Sequence, residues 1–376
     1  DRAGHALPSD HPFFVEMLGM GMSGGFVGKI DSRDPSKKRD PSRPSRRARR
    51  AVVLAEEAAY WDRGMATTLP GPGLAGAPVM TMGTPEQKQR LLGIFEDKKT
   101  PRWAAFAMTE PGAGSDVAGL KTTARRDGDA YVIDGEKCFI SNGARASWIV
   151  VWATTDPSLG RAGHRAFIVE RETPGFEVVR VDKKMGLTAS ETATLRFDAC
   201  RVPVANMLMP PSDADPEGGF KGAMKTFDMT RPIVAAMAVG VGRAAHDEAL
   251  RFAKEHLTGV SAYRLQRIQD RLAQVRRKLE AGRLLSWRAA WLADQKKANA
   301  LEAAMAKAYA PAVALEAASL GLEVLGEAGG ASDTLIEKLF RDVKVLDIVE
   351  GTGQIQRRVM ARRLIGYRET RGGDHG

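Results

Sequence analysis

The spacing of apolar residues changes twice along this chain of 376 residues. Apolar residues recur at helical spacing over about residues 46–102, alternate with a period of two over residues 103–209, and return to helical spacing over residues 218–368. A period near 3.6 indicates helices, and a period of two indicates strands. The order helices, strands, helices predicts an α+β protein that is mostly α, with its strands confined to the middle of the chain.

The same pattern predicts the domain organisation. We expect a divergent basic N-terminal segment at 1–45, an N-terminal helical domain at 46–103, a middle β domain at 104–210 and a C-terminal helical bundle at 218–376. Strands are expected in AYVIDGEKCFISNG, with Asp134-Gly135 as a hairpin turn, and in SWIVVWATT, RAFIVERE, FEVVRV and ATLRFDA. Successive strands without intervening helices favour an antiparallel barrel or sandwich, and long helices with short connections favour an antiparallel bundle.

Basic residues are concentrated near the N-terminus. The chain has 56 Lys and Arg against 46 Asp and Glu, a net charge of +10, and residues 29–50 hold ten Lys or Arg and three Asp. A stretch rich in Pro, Ser and Arg buries little apolar area, so we expect removal of residues 1–40 to cost little thermal stability. A solvated segment is the preferred interpretation, and contact with a nucleic acid or a membrane is the alternative. Base stacking is not indicated, because the run contains no aromatic residue.

Cysteine content and hydropathy indicate the compartment. Two cysteines, Cys138 and Cys200, cannot form a disulfide framework and fit a reducing environment. The first twelve residues are too polar for a signal peptide, and the apolar runs are shorter than the roughly 18 residues that a membrane span needs. We therefore expect a cytoplasmic protein without a membrane span, and we expect no metal site.

A glycine-rich segment, FAMTEPGAGSDVAGLKT, precedes the strands at residues 106–122. Its small residues allow the backbone to approach a ligand closely, and N–H groups beside Ser and Thr hydroxyls can bind anions or the edge of a flavin. The segment is neither a Walker loop nor a dinucleotide-binding GxGxxG. By itself it is weak evidence for a ligand-binding loop.

A second segment, EKLFRDVKVLDIVEGTGQIQRRVMARRLIG, covers residues 337–366. The helical pattern is interrupted at Glu350-Gly351-Thr352 and then resumes. A carboxylate in such a break lies between two apolar helices, where burial can tune it as a general base. The alternative is that Glu350 only caps the following helix.

Six motifs, in order, make the chain resemble the acyl-CoA dehydrogenases from about Ala51 to Ile365. They are AFAMTEPGAGSD, DGEKCFISNG, RVPVANML, TFDMTRPIVAA, EKLFRDVKVLDIVEGTGQIQ and a final AR-x-LIG. The resemblance implies an N-terminal helical domain, a middle antiparallel β-barrel and a C-terminal four-helix bundle. It also implies FAD as cofactor, a role in fatty acid metabolism, and an acyl thioester substrate, usually acyl-CoA, that becomes a trans-2-enoyl product.

The resemblance further implies roles for single residues. Glu350 would take the α-proton, and its backbone N–H would help to bind the thioester oxygen. Thr230 occupies the position where other branches of the family carry the base, and a hydroxyl cannot serve as one. The implied cofactor contacts are Phe106, Met108, Thr109, Gly114, Ser115, Phe139, Ser141, Gln266, Thr352 and Gln354, and the implied substrate contacts are Ser115, Asp228, Arg231 and Gly351. Packing or capping is the alternative for each, and Phe139 is the residue most readily explained as a core aromatic.

Two segments depart from the family pattern. In homodimeric members, an Arg-x-x-Phe-Gly loop and a Gln-x-x-Gly-Gly segment of the neighbouring subunit complete the FAD site. Here AKEHLTGVSAYRLQ keeps Gly259 and Gln266 but lacks that Arg, and LEVLGEAGG carries Glu323 and Glu327 where the family has Gln and Gly. The missing Arg removes a charge-assisted phosphate ligand, and carboxylates repel a pyrophosphate. A heteromer with a homologous subunit and a homo-oligomer with substitute contacts both stay open.

Three further questions stay open at this point. The acyl group could be carried by an acyl carrier protein, because a basic segment suits an acidic carrier. Some relatives of this fold bind nucleic acid, although the retained Glu350 argues against that function here. The electron acceptor could be an electron-transfer flavoprotein or another acceptor.

Overall fold

The computed structural model describes residues 5–24, 45–208, 218–331 and 333–366. Most of the basic segment 29–50 lies outside the described residues. The chain forms two compact units. Unit 1 comprises Asp1–Ser42 and Asp62–Phe227, and unit 2 comprises Arg43–Trp61 and Asp228–Gly376.

Unit 1 contains α1 (Pro12–Gly19), the second part of α2 (Arg47–Thr68), α3 (Gly76–Met82) and α4 (Pro85–Gly93). The division between the units falls within α2 at Asp62, whose backbone is extended (φ −163°, ψ 109°). The start of α4 follows from its sequence. The Thr84 hydroxyl accepts a hydrogen bond from the Gln87 N–H, and the Gln87 side chain accepts one from the Thr84 N–H, which forms a capping box ahead of Pro85.

Helix α1 lies in the segment that we expected to bury little apolar area. Phe14 is fully buried, and its ring centroid lies 5.1 Å from that of Trp103. The Arg145 guanidinium lies 5.2 Å from the Trp103 ring centroid and donates to the Leu7 carbonyl at 3.1 Å. The expectation is therefore wrong for this helix, because the composition of the basic stretch does not extend to PFFVEMLG.

The middle of the chain forms one sheet of eight strands. The strands are β1 (Ala104–Ala107), β2 (Thr123–Asp127), β3 (Ala130–Ser141), β4 (Trp148–Thr154), β5 (His164–Glu170), β6 (Phe176–Val181), β7 (Thr192–Pro203) and β8 (Met207–Leu208). Their order is β6-β7-β3-β2-β4-β5-β8, and β1 pairs with β4. The long pairings are antiparallel, whereas β4 is parallel to β1 and, at a single residue pair, to β2.

The predicted hairpin turn at Asp134-Gly135 is wrong. Strand β3 runs through both residues, and the turn lies at Gly128-Asp129, between β2 and β3. The register with β7 shifts just before Gly135, which marks a bulge. Gly135 has φ +150°, and a Cβ there would lie 2.5 Å from the Thr122 hydroxyl oxygen. Glycine is therefore required for the close approach of β3 to Thr122, the residue before β2, and not for a turn.

Strand β4 explains why SWIVVWATT is apolar almost without interruption. All seven of its residues are buried. Ile149 and Val151 belong to one apolar cluster, together with Phe167 and Leu195. The alternate residues of β4 belong to a second cluster, which contains Trp152. A strand covered on both faces loses the alternation of apolar and polar residues.

Unit 2 is helical. It contains the first part of α2 and, from Asp228 onward, α5 (Gly218–His256), followed by α6 (Ala262–Asp294), α7 (Ala300–Leu325), α8 (Leu335–Ile348) and α9 (Gly353–Ile365). Helix α7 packs against α6, α8 and α9. The stretch Ala300–Gly330 is long and apolar enough to span a membrane by length and composition, contrary to our reading of the sequence, but 61% of its apolar window is buried inside the protein. It is the core helix of the bundle.

Helix α2 contacts α5 and α6 within unit 2. A Cβ on Gly240 would lie 2.1 Å from the carbonyl oxygen of Glu56, so the backbones of α2 and α5 touch at this point. The buried Glu56 carboxylate accepts hydrogen bonds from Arg243 at 2.8 Å and from Arg283 at 2.6 Å. A buried carboxylate is tolerated where such donors surround it.

Candidate active site

In unit 1, the glycine-rich loop is bonded to β3. The loop follows β1, and the Cys138 N–H donates to the Thr109 carbonyl at 3.0 Å. This bond joins the backbone of Thr109 to Cys138, the residue before Phe139. Beyond it, Gly114 and Ser115 are exposed, and a Cβ on Gly114 would contact nothing within 4 Å. The fold of this chain therefore does not by itself require glycine at position 114.

A buried ion pair stabilises the backbone of the glycine-rich loop. Lys137 Nζ lies 2.8 Å from Glu110 Oε1 and 3.1 Å from the Met108 carbonyl oxygen. Glu110 also accepts from the Thr122 hydroxyl at 2.6 Å and from the Lys121 N–H at 2.6 Å. The two charged side chains are 0% and 6% exposed. These contacts fix the backbone of the loop where it leaves β1.

Burial sets the charge states of this pair. It lowers the pKa of Lys137 to about 8, although the Glu110 carboxylate opposes that shift. Burial alone would raise the pKa of Glu110, but Lys137 and Thr122 outweigh it and hold that pKa below its ordinary value. Sequence reasoning missed this pair. Glu110 and Lys137 lie in motifs that also carry other charged residues, such as Asp116 and Glu136, so nothing in the sequence marked them as a pair.

Phe139 does not lie in the core. It interrupts β3 with φ +60°, and its side chain is 69% exposed. A bulky residue in the left-handed region is strained, and an exposed aromatic ring gains little from packing. The interpretation as a core aromatic is therefore wrong. Ser141, two residues further on, is also exposed.

The remaining unit 1 candidates are more buried. Met108 is 5% exposed and belongs to an apolar cluster of the sheet. Phe106 is half-buried, with its ring centroid 5.9 Å from that of Phe227. Met108 therefore has a packing role in the described structure, whereas Phe106 retains an accessible edge.

In unit 2, Glu350 lies in a turn between α8 and α9. Glu350 has φ +56° and Gly351 has φ +94°, so two successive residues are left-handed. The N-cap of α9 is Thr352, whose side chain accepts from the Ile355 N–H at 3.4 Å. The interpretation of Glu350 as the helix cap is therefore wrong, and Thr352 has that role. Gln354 is exposed on the first turn of α9.

Helix α5 brings two side chains to this turn, and a third side chain of the helix binds one of them. The Thr230 hydroxyl donates to Glu350 Oε2 at 2.6 Å. Arg231 Nε donates to the Glu350 carbonyl at 3.3 Å, and Arg231 Nη1 donates to Asp228 at 3.0 Å. Burial raises the pKa of Asp228 and Arg231 opposes that shift, while burial lowers the pKa of Arg231. The structure thus brings Asp228, Arg231, Glu350 and Gly351 into one network, and it adds Thr230 as a partner of the carboxylate.

Helix α7 contributes Lys307, which sequence reasoning missed. Its side chain is fully buried, and its Nζ donates to the carbonyls of Asp347 and Gly351, both at 3.3 Å. Gln356 Nε2 donates to the Gly351 carbonyl at 3.1 Å. The only signal in the sequence was a lysine within the apolar, alanine-rich stretch ALEAAMAKAYAPAV.

The segments that depart from the family pattern lie on the surface of unit 2. Gln266 is exposed and donates to Asp270 at 2.9 Å. Glu323 forms an ion pair with Arg271, and the hydrogen bond from Arg271 lowers the pKa of Glu323. Glu327 is exposed. The expected repulsion of a pyrophosphate by Glu323 is therefore reduced by a cation that the sequence alone did not pair with it.

Comparison with known proteins agrees with this geometry. The models of the acyl-CoA dehydrogenase middle and C-terminal domains match residues 105–200 and 217–365. The short-chain specific acyl-CoA dehydrogenase, mitochondrial, of Rattus norvegicus is 39% identical over 289 residues, which cover 77% of this chain and 68% of that protein. Butyryl-CoA dehydrogenase from Megasphaera elsdenii has a TM-score of 0.85 and 32% identity, with 97% of this chain and 92% of that chain covered. The prolyl acyl carrier protein oxidase AnaB has a TM-score of 0.72 and 27% identity, with 96% of this chain and all (100%) of that chain covered.

The chain therefore belongs to the acyl-CoA dehydrogenase family and is an oxidoreductase. Members of this family depend on FAD, which is the cofactor of this chain. The residues of unit 1 fit a flavin. Phe139, which is exposed and strained, follows Cys138, whose N–H is bonded to the Thr109 carbonyl. Ser141 is exposed two residues further on, and the glycine-rich loop has open space around Gly114. An aromatic face, hydroxyl groups and accessible backbone are what a planar ring with polar edges requires.

Proposed function

We propose that this chain catalyses the α,β-dehydrogenation of an acyl-CoA thioester to a trans-2-enoyl-CoA, with Glu350 as the base. The placement of Glu350 carries the proposal. Its carboxylate stands at a break between two helices and is bonded to the Thr230 hydroxyl at 2.6 Å. Its backbone carbonyl accepts from Arg231, so both ends of the residue are held. A strained residue held by its surroundings is typical of functional positions.

The proposed reaction removes a proton from the α-carbon and a hydride from the β-carbon. Glu350 accepts the α-proton, and Thr230 orients the carboxylate toward it. Bound FAD supplies the acceptor for the hydride from the β-carbon. We assign the backbone N–H of Glu350 to the thioester oxygen, where negative charge develops as the proton leaves. Arg231 and Gln356 hold the carbonyls of this turn, which fixes the peptide planes that present the N–H groups.

The remaining candidate residues are assigned according to the unit in which they lie. In unit 1 we assign the flavin to Phe106, Thr109, Gly114, Phe139 and Ser141. Met108 is a weaker candidate because it is buried in an apolar cluster. Arg231 is better explained as support for the turn than as a substrate contact, since its guanidinium binds Asp228 and the Glu350 carbonyl.

Replacement of Glu350 by Gln tests the proposal. The amide is nearly isosteric but has no useful basicity, so flavin reduction by an acyl-CoA under anaerobic conditions should slow by about 10²–10⁴-fold or more. The matched control is Glu96→Gln, which changes an exposed carboxylate outside the candidate residues and should leave the rate unchanged. A Glu350→Gln protein that reduces its flavin at nearly the wild-type rate would show that Glu350 is not the base.

A carrier-protein thioester is the second candidate substrate. The structural similarity to an acyl carrier protein oxidase favours it specifically. Turnover of one acyl group presented on CoA and on a carrier protein separates the two candidates. A kcat/KM at least tenfold higher for the carrier-bound form would assign the chain to carrier chemistry.

The partners follow from the reaction. A reduced flavin must pass on its electrons, and we propose an electron-transfer flavoprotein as the acceptor. We also propose a cytoplasmic location and a role in fatty acid metabolism. Electron transfer to a purified electron-transfer flavoprotein, with a small-molecule dye as the comparison acceptor, tests the partner.

A further inference from the structure

Lys307 carries a buried charge in the middle of the core helix α7. Burial of an ammonium is costly unless strong acceptors compensate for the lost water. Among the residues that the structure describes, no carboxylate forms an ion pair with Lys307 within 4.0 Å. Its partners are instead two backbone carbonyls, those of Asp347 and Gly351, each at 3.3 Å. Two points of the backbone, the carbonyls of Asp347 and Gly351, therefore bind the buried ammonium.

Those two points flank Glu350. Asp347 lies in the last turn of α8, where carbonyls lack partners within the helix, and Gly351 is the second left-handed residue of the turn. A non-glycine residue in the left-handed region costs about 1–2 kcal/mol, so the conformation of Glu350 needs support. Gln356 adds to that support through the Gly351 carbonyl, and a Cβ on Gly351 would lie 2.6 Å from its Nε2.

We propose that Lys307 is a positioning residue for the base: its ammonium holds the carbonyls of Asp347 and Gly351 and so fixes the left-handed turn that presents Glu350. This inference rests on the proposed function, in which Glu350 takes the α-proton. Lys307 does not touch the reacting atoms. It acts through the backbone on either side of the residue that does.

The charge of Lys307 depends on pH in an accessible range. Burial lowers its pKa to about 8, while Asp347 and Glu350 oppose the shift and Arg231 favours it. These three groups face Lys307 from α8, from the turn and from α5. Above about pH 8 the ammonium becomes a neutral amine, which is a weaker donor to carbonyls. Proton abstraction should therefore decline on the alkaline side.

The test is Lys307→Met, with Lys344→Met as the matched control. Methionine has a similar length and no charge, and Lys344 is an exposed lysine on α8. The probe is an acyl-CoA analogue with sulfur at the β position, which can lose an α-proton but cannot give up a hydride. Exchange of that proton in D₂O, followed by mass spectrometry, reports the base without the redox step.

We expect Lys307→Met to slow the exchange, and kcat on an oxidisable acyl-CoA, by about 10- to 100-fold, as misplacement by about an ångström can do. KM should change by less than about twofold, because binding away from the turn is intact. The exchange rate of the wild type should decline at alkaline pH, and that of Lys307→Met should not. Lys344→Met should match the wild type in all three measurements.

The outcomes separate this inference from the proposed function. Glu350→Gln is measured in the same exchange assay. If it still exchanges the proton, the assignment of the base fails. If it does not, and Lys307→Met exchanges at the wild-type rate or changes KM alone, the role of Lys307 is refuted. If Lys307→Met does not fold, Lys307→Arg decides, because its permanent charge should remove the alkaline decline, and an unchanged decline would overturn the proposal.

Discussion

Two candidate functional residues, Phe139 in unit 1 and Glu350 in unit 2, have left-handed backbones although neither is glycine, with φ +60° and +56°. Each costs conformational energy that the surrounding structure must supply. For Glu350, the carbonyls of the turn are held by Arg231, Lys307 and Gln356. For Phe139, the Lys137–Glu110 pair and the Cys138 hydrogen bond fix the neighbouring backbone.

Replacement of Phe139 separates strain from function. The free energy of unfolding of Phe139→Gly should exceed that of Phe139→Ala by about 1 kcal/mol or more, because only glycine adopts φ +60° without steric cost. Both variants should bind FAD more weakly, since both lack the exposed ring. Urea titration and flavin fluorescence measure the two quantities. Equal stability of the two variants would contradict the left-handed assignment.

The charge of Lys307 also predicts how stability varies with pH. The pKa of Lys307 is about 8 in the fold, whereas the pKa of an unperturbed lysine is 10.5. Between these two pH values the unfolded chain binds more protons than the folded chain. The free energy of unfolding therefore increases as the pH rises, and Lys307 contributes about 3 kcal/mol to this increase in all. Below pH 8 both states are protonated and the cost of burial is present in full.

The measurement is the difference in the free energy of unfolding between the wild type and Lys307→Met. That difference should shift in favour of the wild type from pH 8 to 10.5 and stay constant from pH 6 to 7.5. Other groups that titrate in this range are common to both proteins and cancel. A flat difference over the alkaline range would contradict the lowered pKa.

The sequence identified Glu350 because a break in a helical pattern is a one-dimensional feature. It could not identify the partners of Glu350, because Thr230 and Lys307 are 120 and 43 residues away along the chain. Their contacts depend on the packing of α5 and α7 against the turn. The Lys137–Glu110 pair was missed for the same reason, since burial of a charge is visible only when its partner is known.

At the scale of elements, prediction succeeded where the period persisted over many residues. The strands β4 to β7 lie close to their predicted positions, although β7 extends to Pro203, and the helices α5 to α9 lie within the region 218–368 where helical spacing was found. It failed for α1, an eight-residue helix next to a stretch of misleading composition, and at Gly135, where a bulge imitates a turn. Short elements and single glycines take their conformation from contacts across the fold.

Helix α1 should contribute measurably to stability. Phe14→Ala should cost about 3–5 kcal/mol, because it removes a fully buried ring beside Trp103. The matched control is Val15→Ala, a neighbouring residue that is 44% exposed and should change little. Thermal melting compares the two, and deletion of residues 1–24 should resemble Phe14→Ala. Equal melting temperatures for both variants would show that α1 is dispensable.

At the scale of the whole molecule, we propose that the two segments that depart from the family pattern, around residues 253–266 and 322–330, weaken FAD binding and influence assembly. Expressed alone, the chain should retain less than one FAD per subunit. The Arg that pairs with the pyrophosphate in relatives is absent, and loss of one charge-assisted hydrogen bond weakens binding by about ten- to a hundredfold. Since Glu323 is already paired with Arg271, Glu327→Gly should recover more binding than Glu323→Gln.

Flavin absorbance and sedimentation test this prediction together. Co-expression with a homologue that carries the Arg-x-x-Phe-Gly and Gln-x-x-Gly-Gly segments should give about one FAD per pair of chains. A yellow homo-oligomer with one FAD per subunit would rule out the heteromer. Contacts from other residues, such as His256 or Arg264, would then hold the pyrophosphate.

The contact of Gly240 with the Glu56 carbonyl predicts that homologues should conserve glycine at this position. Any side chain at position 240 would separate α2 from α5, so selection should keep glycine there in every homologue that retains this helix pair. Such invariance would reflect steric exclusion and not chemistry. Gly114 is the opposite case, because its surroundings leave room for a side chain. If evolution has nevertheless kept glycine at 114, the constraint comes from a ligand, and the two glycines would then distinguish selection for folding from selection for binding.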